Sequence, residues 1–180
     1  MLMKLHLADT AELLERARNV REQVFTIEKK IPRSVEVDEL DCLNDSCDHF
    51  VVEMVELEES SMNETVLDET EPRATGNGLI ENKQIENADI CALRCKRIDD
   101  KCIQLQRFCV MKEYRGVGVG RFALEQIENY YWAKGIEVIT LDAKFHVSEF
   151  YEKCGYVVVS EPFMEADLLH VVMEKRRGTK

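Results

Sequence analysis

The most informative segment of this 180-residue chain reads Val110-Met111-Lys112-Glu113-Tyr114-Arg115-Gly116-Val117-Gly118-Val119-Gly120-Arg121. It follows an apolar stretch typical of a strand and precedes a stretch whose apolar residues recur at helical spacing. Glycines at such a junction let the backbone turn tightly and approach a ligand without side-chain interference. The exposed amides at the start of the helix would then face an anion, helped by the helix dipole. The segment therefore predicts an anion-binding turn, and a diphosphate is the ligand that fits it best.

Two other phosphate-binding loops do not fit the spacing of these glycines. A Walker A loop ends in Gly-Lys-Ser/Thr, which is absent here. A dinucleotide fingerprint needs Gly-x-Gly-x-x-Gly in the first unit of a doubly wound sheet. Here Gly116, Gly118 and Gly120 are spaced by two and come late in the chain, after three predicted strands of an antiparallel sheet. Taken alone, the three glycines fit a purely structural loop equally well.

The stretches on either side of the turn predict a mixed fold. Apolar alternation indicates strands, and apolar residues three and four apart indicate helices. The predicted strands cover residues 1–7, 49–55, 90–98, 102–111, 136–141, 156–159 and 169–173, and the predicted helices cover 9–27, 118–133 and a stretch ending at 154–155. The order β-α-β-β-β-α-β-α-β-β predicts one α/β domain, in which helices flank a mixed, mostly antiparallel sheet.

Composition narrows the class of protein. Hydrophobic residues make up 45% of the chain and charged residues 33%, so the chain can bury a sizeable core. The net charge of −11 makes duplex nucleic acid a poor partner, because such binding depends on neutralising phosphates. No apolar run is long enough to span a bilayer, and the N-terminus lacks the pattern of a secretion signal. We therefore expect a soluble protein of the cytoplasm or nucleus, with no nucleic-acid or membrane partner.

Seven cysteines are spread along the chain: Cys42, Cys47, Cys91, Cys95, Cys102, Cys109 and Cys154. An odd number without a Cys-x-x-Cys pair argues against both a disulfide framework and a zinc site. We therefore expect free thiols, a reducing compartment and no bound metal.

The acidic charge is concentrated in one stretch. From Glu56 to Asp89 the chain holds ten acidic residues against two basic ones, Arg73 and Lys83, and no aromatic residue. Such a segment cannot bury enough apolar surface to offset the loss of chain entropy on ordering. The sequence therefore predicts a disordered acidic insertion at about residues 57–89 within a single domain of residues 1–180; a docking element is the alternative.

The spacing Arg115-x-x-Gly118-x-Gly120 resembles the coenzyme A pyrophosphate loop of the GNAT superfamily of N-acetyltransferases, whose pattern is Arg/Gln-x-x-Gly-x-Gly/Ala. The preceding strand, the following helix and the predicted order of elements also match that superfamily. Two further stretches are similar to its ElaA-like branch, namely Val20-Arg21-Glu22-Gln23-Val24-Phe25 and Phe150-Tyr151-Glu152-Lys153-Cys154-Gly155-Tyr156. The resemblance implies the GNAT fold for the whole chain outside the acidic insertion.

The resemblance also implies that acetyl-CoA is the cosubstrate. In such enzymes the fourth strand parts from the fifth, and pantetheine lies in the gap. Backbone groups at the end of the fourth strand hold the pantetheine arm and the thioester carbonyl, where an amide stabilises the developing negative charge. The implied cofactor-binding residues are Phe108, Cys109 and Val110 on the strand, and Arg115, Gly116, Val117, Gly118, Val119, Gly120 and Arg121 in the turn. Phe108 and Val110 can fill the core at the same time, because only their main chain is needed.

Tyr151 is the catalytic candidate. It lies in the helix after the fifth predicted strand, at a position where this superfamily often places a tyrosine. A phenol there can donate a proton to the departing coenzyme A thiolate as general acid. The alternative is an aromatic residue that only packs between helix and sheet, like its neighbour Phe150.

The sequence does not identify the general base. Many family members use a glutamate on the fourth strand, yet residues 103–107 contain no carboxylate. A water relay, or His146 or His170, could remove the proton at neutral pH, and the two histidines are also candidates for contact with the acceptor. Lys144 stands where many members carry an asparagine, and it could face a coenzyme A phosphate.

The function predicted from these residues is the transfer of an acetyl group from acetyl-CoA to a primary amine, by direct attack in a ternary complex. Two alternatives are a coenzyme A-binding regulatory or interaction module without catalysis, and an interaction scaffold that uses the acidic insertion. The acceptor is a small-molecule or protein amine, and the protein is a monomer or homodimer. Acidic groups at Glu36, Asp38, Asp41 and Glu53 could favour a cationic acceptor.

Overall fold

The structure, a computed structural model, describes residues 2–55 and 87–178. The predicted acidic insertion lies almost entirely outside these residues, so its disorder stays a prediction. Its last two predicted residues, Ala88 and Asp89, are the first residues of a strand, and Asp89 forms an ion pair with Arg16 at 2.6 Å. The insertion therefore ends slightly earlier in the chain than its charge alone indicates.

Eight strands and four α-helices make up the described residues, and their bounds follow. The strands are β1 (Leu2–Leu7), β2 (Cys47–Val55), β3 (Ala88–Arg97), β4 (Cys102–Val110), β5 (Val138–Lys144), β6 (Val157–Val158), β7 (Phe163–Glu165) and β8 (Leu168–Arg176). The helices are α1 (Ala11–Arg21), α2 (Arg33–Glu36), α3 (Val119–Ala133) and α4 (Ser148–Glu152), with a π-helix at Glu22–Glu28 and single 3₁₀ turns at Lys112–Tyr114 and Phe145–Val147.

All eight strands belong to one sheet, with the order β1-β2-β3-β4-β5-β8-β6 and with β7 paired to β8. Every neighbouring pair is antiparallel except β4 and β5, which run parallel. The predicted mixed, mostly antiparallel sheet flanked by helices is thus confirmed.

The two long helices cover opposite faces of this sheet. Successive side chains of a strand point to opposite faces, and β2 shows this directly. Its residues Phe50 and Val52 pack with the buried side chains of α3, whereas Val51 packs with Ala17 and Val20 of α1. We refer below to the α3 face and the α1 face of the sheet.

Two local features differ from the sequence prediction. The helix predicted up to residue 27 does reach Glu28, but its last seven residues are π-helical, with the Lys29 amide donating to the Val24 carbonyl at 3.1 Å. The short strand β7 was not predicted; it joins β8 through Ala166 and Asp167, whose φ angles are +46° and +60°. Such hairpin turns are usually marked by Asn-Gly or Asp-Gly, so Ala-Asp carries little signal.

Candidate active site

The parting of β4 from β5 forms the centre of the candidate site. The two strands pair over four positions only, from Cys102 with Val138 to Leu105 with Leu141. Beyond Leu105, β4 continues to Val110 beside β3, while β5 continues beside β8. The register of β4 with β3 shifts between Ala92 and Arg94, opposite Arg107, which has a φ of +52°. This bulge bends β4 at the point where β5 leaves it.

The glycine turn lies at the end of β4 and opens α3. Gly118 is the N-cap of α3 with a φ of +95°, a left-handed conformation that favours glycine, and a Cβ there would have no atom within 4 Å. The first bond of the helix runs from the Phe122 amide to the Gly118 carbonyl at 3.0 Å. No side chain caps this end. The amides of Val119, Gly120 and Arg121 are therefore left for an outside acceptor.

Helix α4 comes very close to this turn. A Cβ added at Gly120 would lie 3.1 Å from Cζ of Phe150 and 3.7 Å from Cζ of Phe108. The rings of Phe108 and Phe150 have centroids 6.3 Å apart. Glycine at position 120 thus permits the contact that joins α4, β4 and the glycine turn.

Apolar side chains border the turn and the end of β5 without being buried. Val117, Phe145, Val147 and Phe150 are each at least 36% exposed. A cluster of exposed apolar groups often marks a binding site. Here it lies beside the free amides, so the surface suits a ligand with both an anionic and an apolar part.

Arg115 lies at the turn, but its guanidinium contacts protein groups. It makes a two-bond ion pair with Glu28, at 2.7 and 2.5 Å, and its Nε donates to the Val110 carbonyl at 2.9 Å. The hydrogen bonds from Arg115 lower the pKa of Glu28. Arg115 therefore ties the glycine turn to the end of the π-helix, a contact that sequence reasoning missed because the two residues are far apart in the chain.

Tyr151 lies on α4 at the parting of the strands. Its ring packs edge-on against Phe150 and Tyr156, with centroids 5.0 and 5.9 Å away, and lies 6.4 Å from Phe108. Burial raises the pKa of Tyr151, so the phenol keeps its proton at neutral pH. Its hydroxyl has no hydrogen-bond partner among the described residues. The packing role and the acid role considered above are thus compatible.

Cys109 belongs to the buried cluster on the α1 face, with Ala17 and Val20. Burial raises the pKa of its thiol to about 12. The thiol is therefore no nucleophile at neutral pH, because the thiolate is the reactive form. Any part of Cys109 in ligand binding falls to its backbone, as the sequence resemblance implied.

The two candidate histidines lie in different surroundings. His146 is exposed on the 3₁₀ turn after β5. His170 is 7% exposed, lies opposite Lys144 in the register of β5 with β8, stacks on Phe163 and bonds the Leu168 carbonyl through Nδ1 at 2.9 Å. Of these two histidines, His170 therefore lies on the α1 face of the sheet, and His146 lies outside the sheet.

A buried network of ion pairs underlies the α1 face. Arg21 bonds Glu36 at 2.6 Å and also Asp41, and Arg94 bonds Asp38 at 2.6 Å and Asp41 at 3.2 Å. Both arginines, Glu36 and Asp41 are at most 5% exposed. Removing one partner from such a network leaves an uncompensated buried charge, which is strongly destabilising. The network therefore fixes the segment of residues 33–41 against β3.

The carboxylates considered for a cationic acceptor are already paired. Glu36, Asp38 and Asp41 belong to this network, and Glu53 bonds Arg16 at 3.1 Å and His6 at 3.0 Å. The Arg107 side chain extends the network by donating to the Glu36 carbonyl at 3.1 Å. All four carboxylates are thus already paired with basic groups of the protein.

We expect the network to make stability depend on pH through Asp41. Burial by itself raises the pKa of Asp41, but hydrogen bonds from Arg21 and the Asp38 amide outweigh it and hold the pKa at about 2, below the ordinary 3.8. The stabilisation is complete above the unfolded-state pKa and is lost as pH falls through the folded-state pKa. As the pH falls from about 4 to about 2, the protein should lose about 2 kcal/mol of unfolding free energy from this group.

Chemical denaturation at several pH values measures this effect. Asp41→Asn should remove that share of the pH dependence, whereas Asp45→Asn, an exposed neighbour, should leave it unchanged. An Asp41→Asn variant with the wild-type pH dependence would refute the assignment.

One carboxylate at the parting of the strands was missed by sequence reasoning. Asp142 follows Leu141, the last residue of β5 that pairs with β4. Gln104 on β4 donates to its Oδ2 at 2.9 Å. The only signal in the sequence is a polar residue directly after a buried β-branched run, which is common at strand ends.

Residues 2–55 and 87–178 contain no group of three His, Cys, Asp or Glu side chains placed to hold a metal ion. The same ranges contain no helix that is long and apolar enough to cross a membrane.

Comparison with known proteins identifies the family. The model of the acetyltransferase (GNAT) domain matches residues 50–177. The uncharacterized N-acetyltransferase YjcF of Bacillus subtilis is 30% identical over 174 residues, which cover 96% of this chain and 99% of that protein.

Solved structures share the fold at lower identity. Escherichia coli ElaA matches with a TM-score of 0.66 and 18% identity, over 97% of this chain and 100% of that one. Spermidine N-acetyltransferase from Vibrio cholerae, solved in complex with CoA and spermine, matches with a TM-score of 0.62 and 15% identity, over 98% and 96%. The parted strands, the glycine turn and these matches lead to one conclusion: the chain belongs to the GNAT family of acetyltransferases and is an acyl-transferring enzyme of that type.

Proposed function

We propose that this protein transfers the acetyl group of acetyl-CoA to a primary amine, by direct attack of the amine in a ternary complex. One observation carries the proposal. The free amides of the glycine turn lie next to the gap between β4 and β5, so one molecule with a diphosphate and an extended arm can engage both. The spermidine N-acetyltransferase with the same fold was solved with CoA and an amine, which supports this class of substrates.

Each part of the site has a role in this proposal. The amides of Val119, Gly120 and Arg121 bind the pyrophosphate, and Gly116, Val117 and Gly118 shape the turn. Arg115 acts by holding the turn to Glu28. The exposed apolar side chains near the end of β5 contact the pantetheine arm, which lies in the gap.

The chemistry falls to groups at the gap. Backbone groups of Phe108, Cys109 and Val110 lie on the part of β4 that β5 has left, and an amide there would stabilise the thioester oxygen as it becomes negative. Tyr151 donates its proton to the departing thiolate. Burial raises the pKa of Tyr151, so the phenol carries the proton at neutral pH.

The acceptor is a primary amine of a small molecule or protein, and the enzyme acts as a monomer or homodimer. We place it in the cytoplasm or nucleus, because all seven cysteines are free thiols, which persist in a reducing compartment.

Acetyl-CoA should raise the melting temperature. A ligand that binds only the folded state stabilises it by mass action, by about 2.7 kcal/mol at a hundred times its dissociation constant. For a domain of this size we expect a shift of about 5–10 °C. Differential scanning fluorimetry measures it, with pantetheine, which lacks the diphosphate, as the control that should give a much smaller shift. The absence of a shift at millimolar acetyl-CoA would refute the proposed cofactor.

Release of the coenzyme A thiol separates catalysis from binding alone. Wild-type protein, acetyl-CoA and a panel of primary amines should give thiol release that depends on the amine. A thermal shift without amine-dependent release from any acceptor would favour the alternative, a coenzyme A-binding module without catalysis.

A further inference from the structure

Asp142 is the first residue of β5 beyond the contact with β4. Its neighbours Leu141 and Ala143 belong to the buried core on the α3 face. By the alternation of a strand, Asp142 lies on the α1 face, the face of His170 and Lys144. Asp142 is exposed, whereas both of its neighbours are buried. Its carboxylate is thus accessible at the point where the gap opens.

A continuous chain of hydrogen bonds leads from the buried network to this carboxylate. Arg94 Nε donates to Gln106 Oε1 at 3.1 Å. Gln106 Nε2 donates to Gln104 Oε1 at 2.8 Å, and Gln104 Nε2 donates to Asp142 Oδ2 at 2.9 Å. The chain crosses from β3 over β4 to β5 on one face of the sheet.

Arg94 fixes the direction of the donors and acceptors in this series of hydrogen bonds. A guanidinium can only donate, so Gln106 must present its oxygen to Arg94 and its amino group to Gln104. Gln104 is oriented in the same way and ends the chain with an N–H group. Arg94 itself is held by Asp38 and Asp41. The last group in the chain must therefore accept a hydrogen bond, which an ionised Asp142 does.

The charged groups around Asp142 do not occupy its carboxylate in an ion pair. The charges of Glu165 on β7 and His170 on β8 act on it. Gln104 on β4 is neutral, and Lys144 lies two residues further along β5. No arginine or lysine forms an ion pair with Asp142 within residues 2–55 and 87–178. Desolvation and Glu165 raise the pKa of Asp142, against a smaller opposite effect of His170. The carboxylate is thus a better proton acceptor than an ordinary aspartate.

We propose that Asp142 is the catalytic residue that takes the proton from the acceptor's ammonium group, and that Gln104 is the residue that positions it. The inference rests on the proposed function. The ammonium gives one proton to the carboxylate, and the amine nitrogen then forms a bond to the thioester carbon. The carbon–sulfur bond breaks, the thiolate takes a proton from Tyr151, and the nitrogen loses its second proton to return the phenol to its initial state. Asp142, being exposed, releases its proton to solvent.

Other groups fit this role less well. Residues 103–107 of β4 carry no carboxylate. Of their two glutamines, Gln104 bonds Asp142 and Gln106 bonds Gln104. His146 lies on the exposed turn after β5, outside the hydrogen-bond chain. His170 is buried and its Nδ1 is engaged with the Leu168 carbonyl.

The test compares Asp142→Asn with wild type in amine-dependent thiol release over a range of pH. Asparagine keeps the shape and can accept the bond from Gln104, so the fold and the acetyl-CoA thermal shift should be unchanged. At pH 7 we expect kcat/KM to fall about a hundred-fold, as for loss of a general base. The variant should regain activity about tenfold per pH unit toward the pKa of the amine, about 10, because the free amine then needs no base. Wild type should level off at a lower pH.

Two further variants sharpen the test. Gln104→Leu should lower kcat/KM about tenfold, because a catalytic group that is slightly misplaced loses part of its effect. Glu137→Gln, which changes an exposed carboxylate paired with Lys101 just before β5, should leave it unchanged. Asp142→Asn with wild-type rates and pH profile would overturn the inference while the proposed function stands, and an unaffected Gln104→Leu would overturn the positioning role. Wild type without amine-dependent release would overturn both the inference and the proposed function.

Discussion

Gly118→Asp is expected to abolish the rise in melting temperature that acetyl-CoA causes in the wild type. The amides that follow Gly118 form the proposed pyrophosphate site, and a carboxylate at the N-cap would compete with and repel the diphosphate there. We expect the affinity for acetyl-CoA to fall at least about a hundred-fold, as two like charges at close range in a partly desolvated site imply. Fluorimetry with and without ligand measures the change.

Gly118→Ala is the matched control. Both variants carry the strain of a side chain at a φ of +95°, which costs about 1–2 kcal/mol for a residue other than glycine. Neither Cβ meets an atom within 4 Å. Without ligand, Gly118→Asp should melt above Gly118→Ala, because a carboxylate at the N-cap can accept hydrogen bonds from the first amides of α3. Only alanine should keep a substantial shift with acetyl-CoA. Equal shifts in both variants would mean that the anion binds elsewhere.

Tyr151→Phe is expected to lower turnover about a thousand-fold, in the range typical of a lost general acid. The substitution keeps the ring and its packing with Phe108, Phe150 and Tyr156 but removes the hydroxyl. Affinity for acetyl-CoA should change little, because the hydroxyl acts only when the thiolate leaves. Steady-state thiol release together with the thermal shift separates the two quantities.

Tyr156→Phe serves as the control for Tyr151. Its ring belongs to the same aromatic cluster, and the substitution also removes one hydroxyl. The Tyr156 hydroxyl is buried without a hydrogen-bond partner in the described part of the chain, so its removal should leave turnover almost unchanged. Wild-type turnover in Tyr151→Phe would refute the acid role. A joint loss of turnover and affinity would indicate a misshapen pocket.

Periodicity and glycine spacing predicted most of the fold. The alternation in residues 90–98 and 102–111 indicated the hairpin of β3 and β4, and the turn around Gly118 lies between strand and helix as expected. The GNAT resemblance is confirmed by the family match over residues 50–177. Local signals suffice here because each strand and helix shows its buried face in its own sequence.

The parts that escaped prediction depend on contacts between distant residues. Nothing near Arg115 indicates that Glu28 will occupy its guanidinium, and nothing near Asp142 indicates that Gln104 will hold it. Glu36 and Asp41 were predicted as groups that could favour a cationic acceptor. Their partner is Arg21, and nothing in the sequence of its helix indicates that this charged side chain is buried. The roles of Tyr151 and of the cofactor-binding residues stay predictions.

The short pairing of β4 with β5 has a mechanical consequence. Strands β1 to β4 form one antiparallel half of the sheet and β5 to β8 form the other, and within the sheet the two halves are joined by four residue pairs alone. Among the neighbouring long strands β1 to β5 and β8, β4 and β5 share the fewest residue pairs. A ligand bound in the gap would contact both halves of the sheet. The complex would therefore be more rigid than the free enzyme.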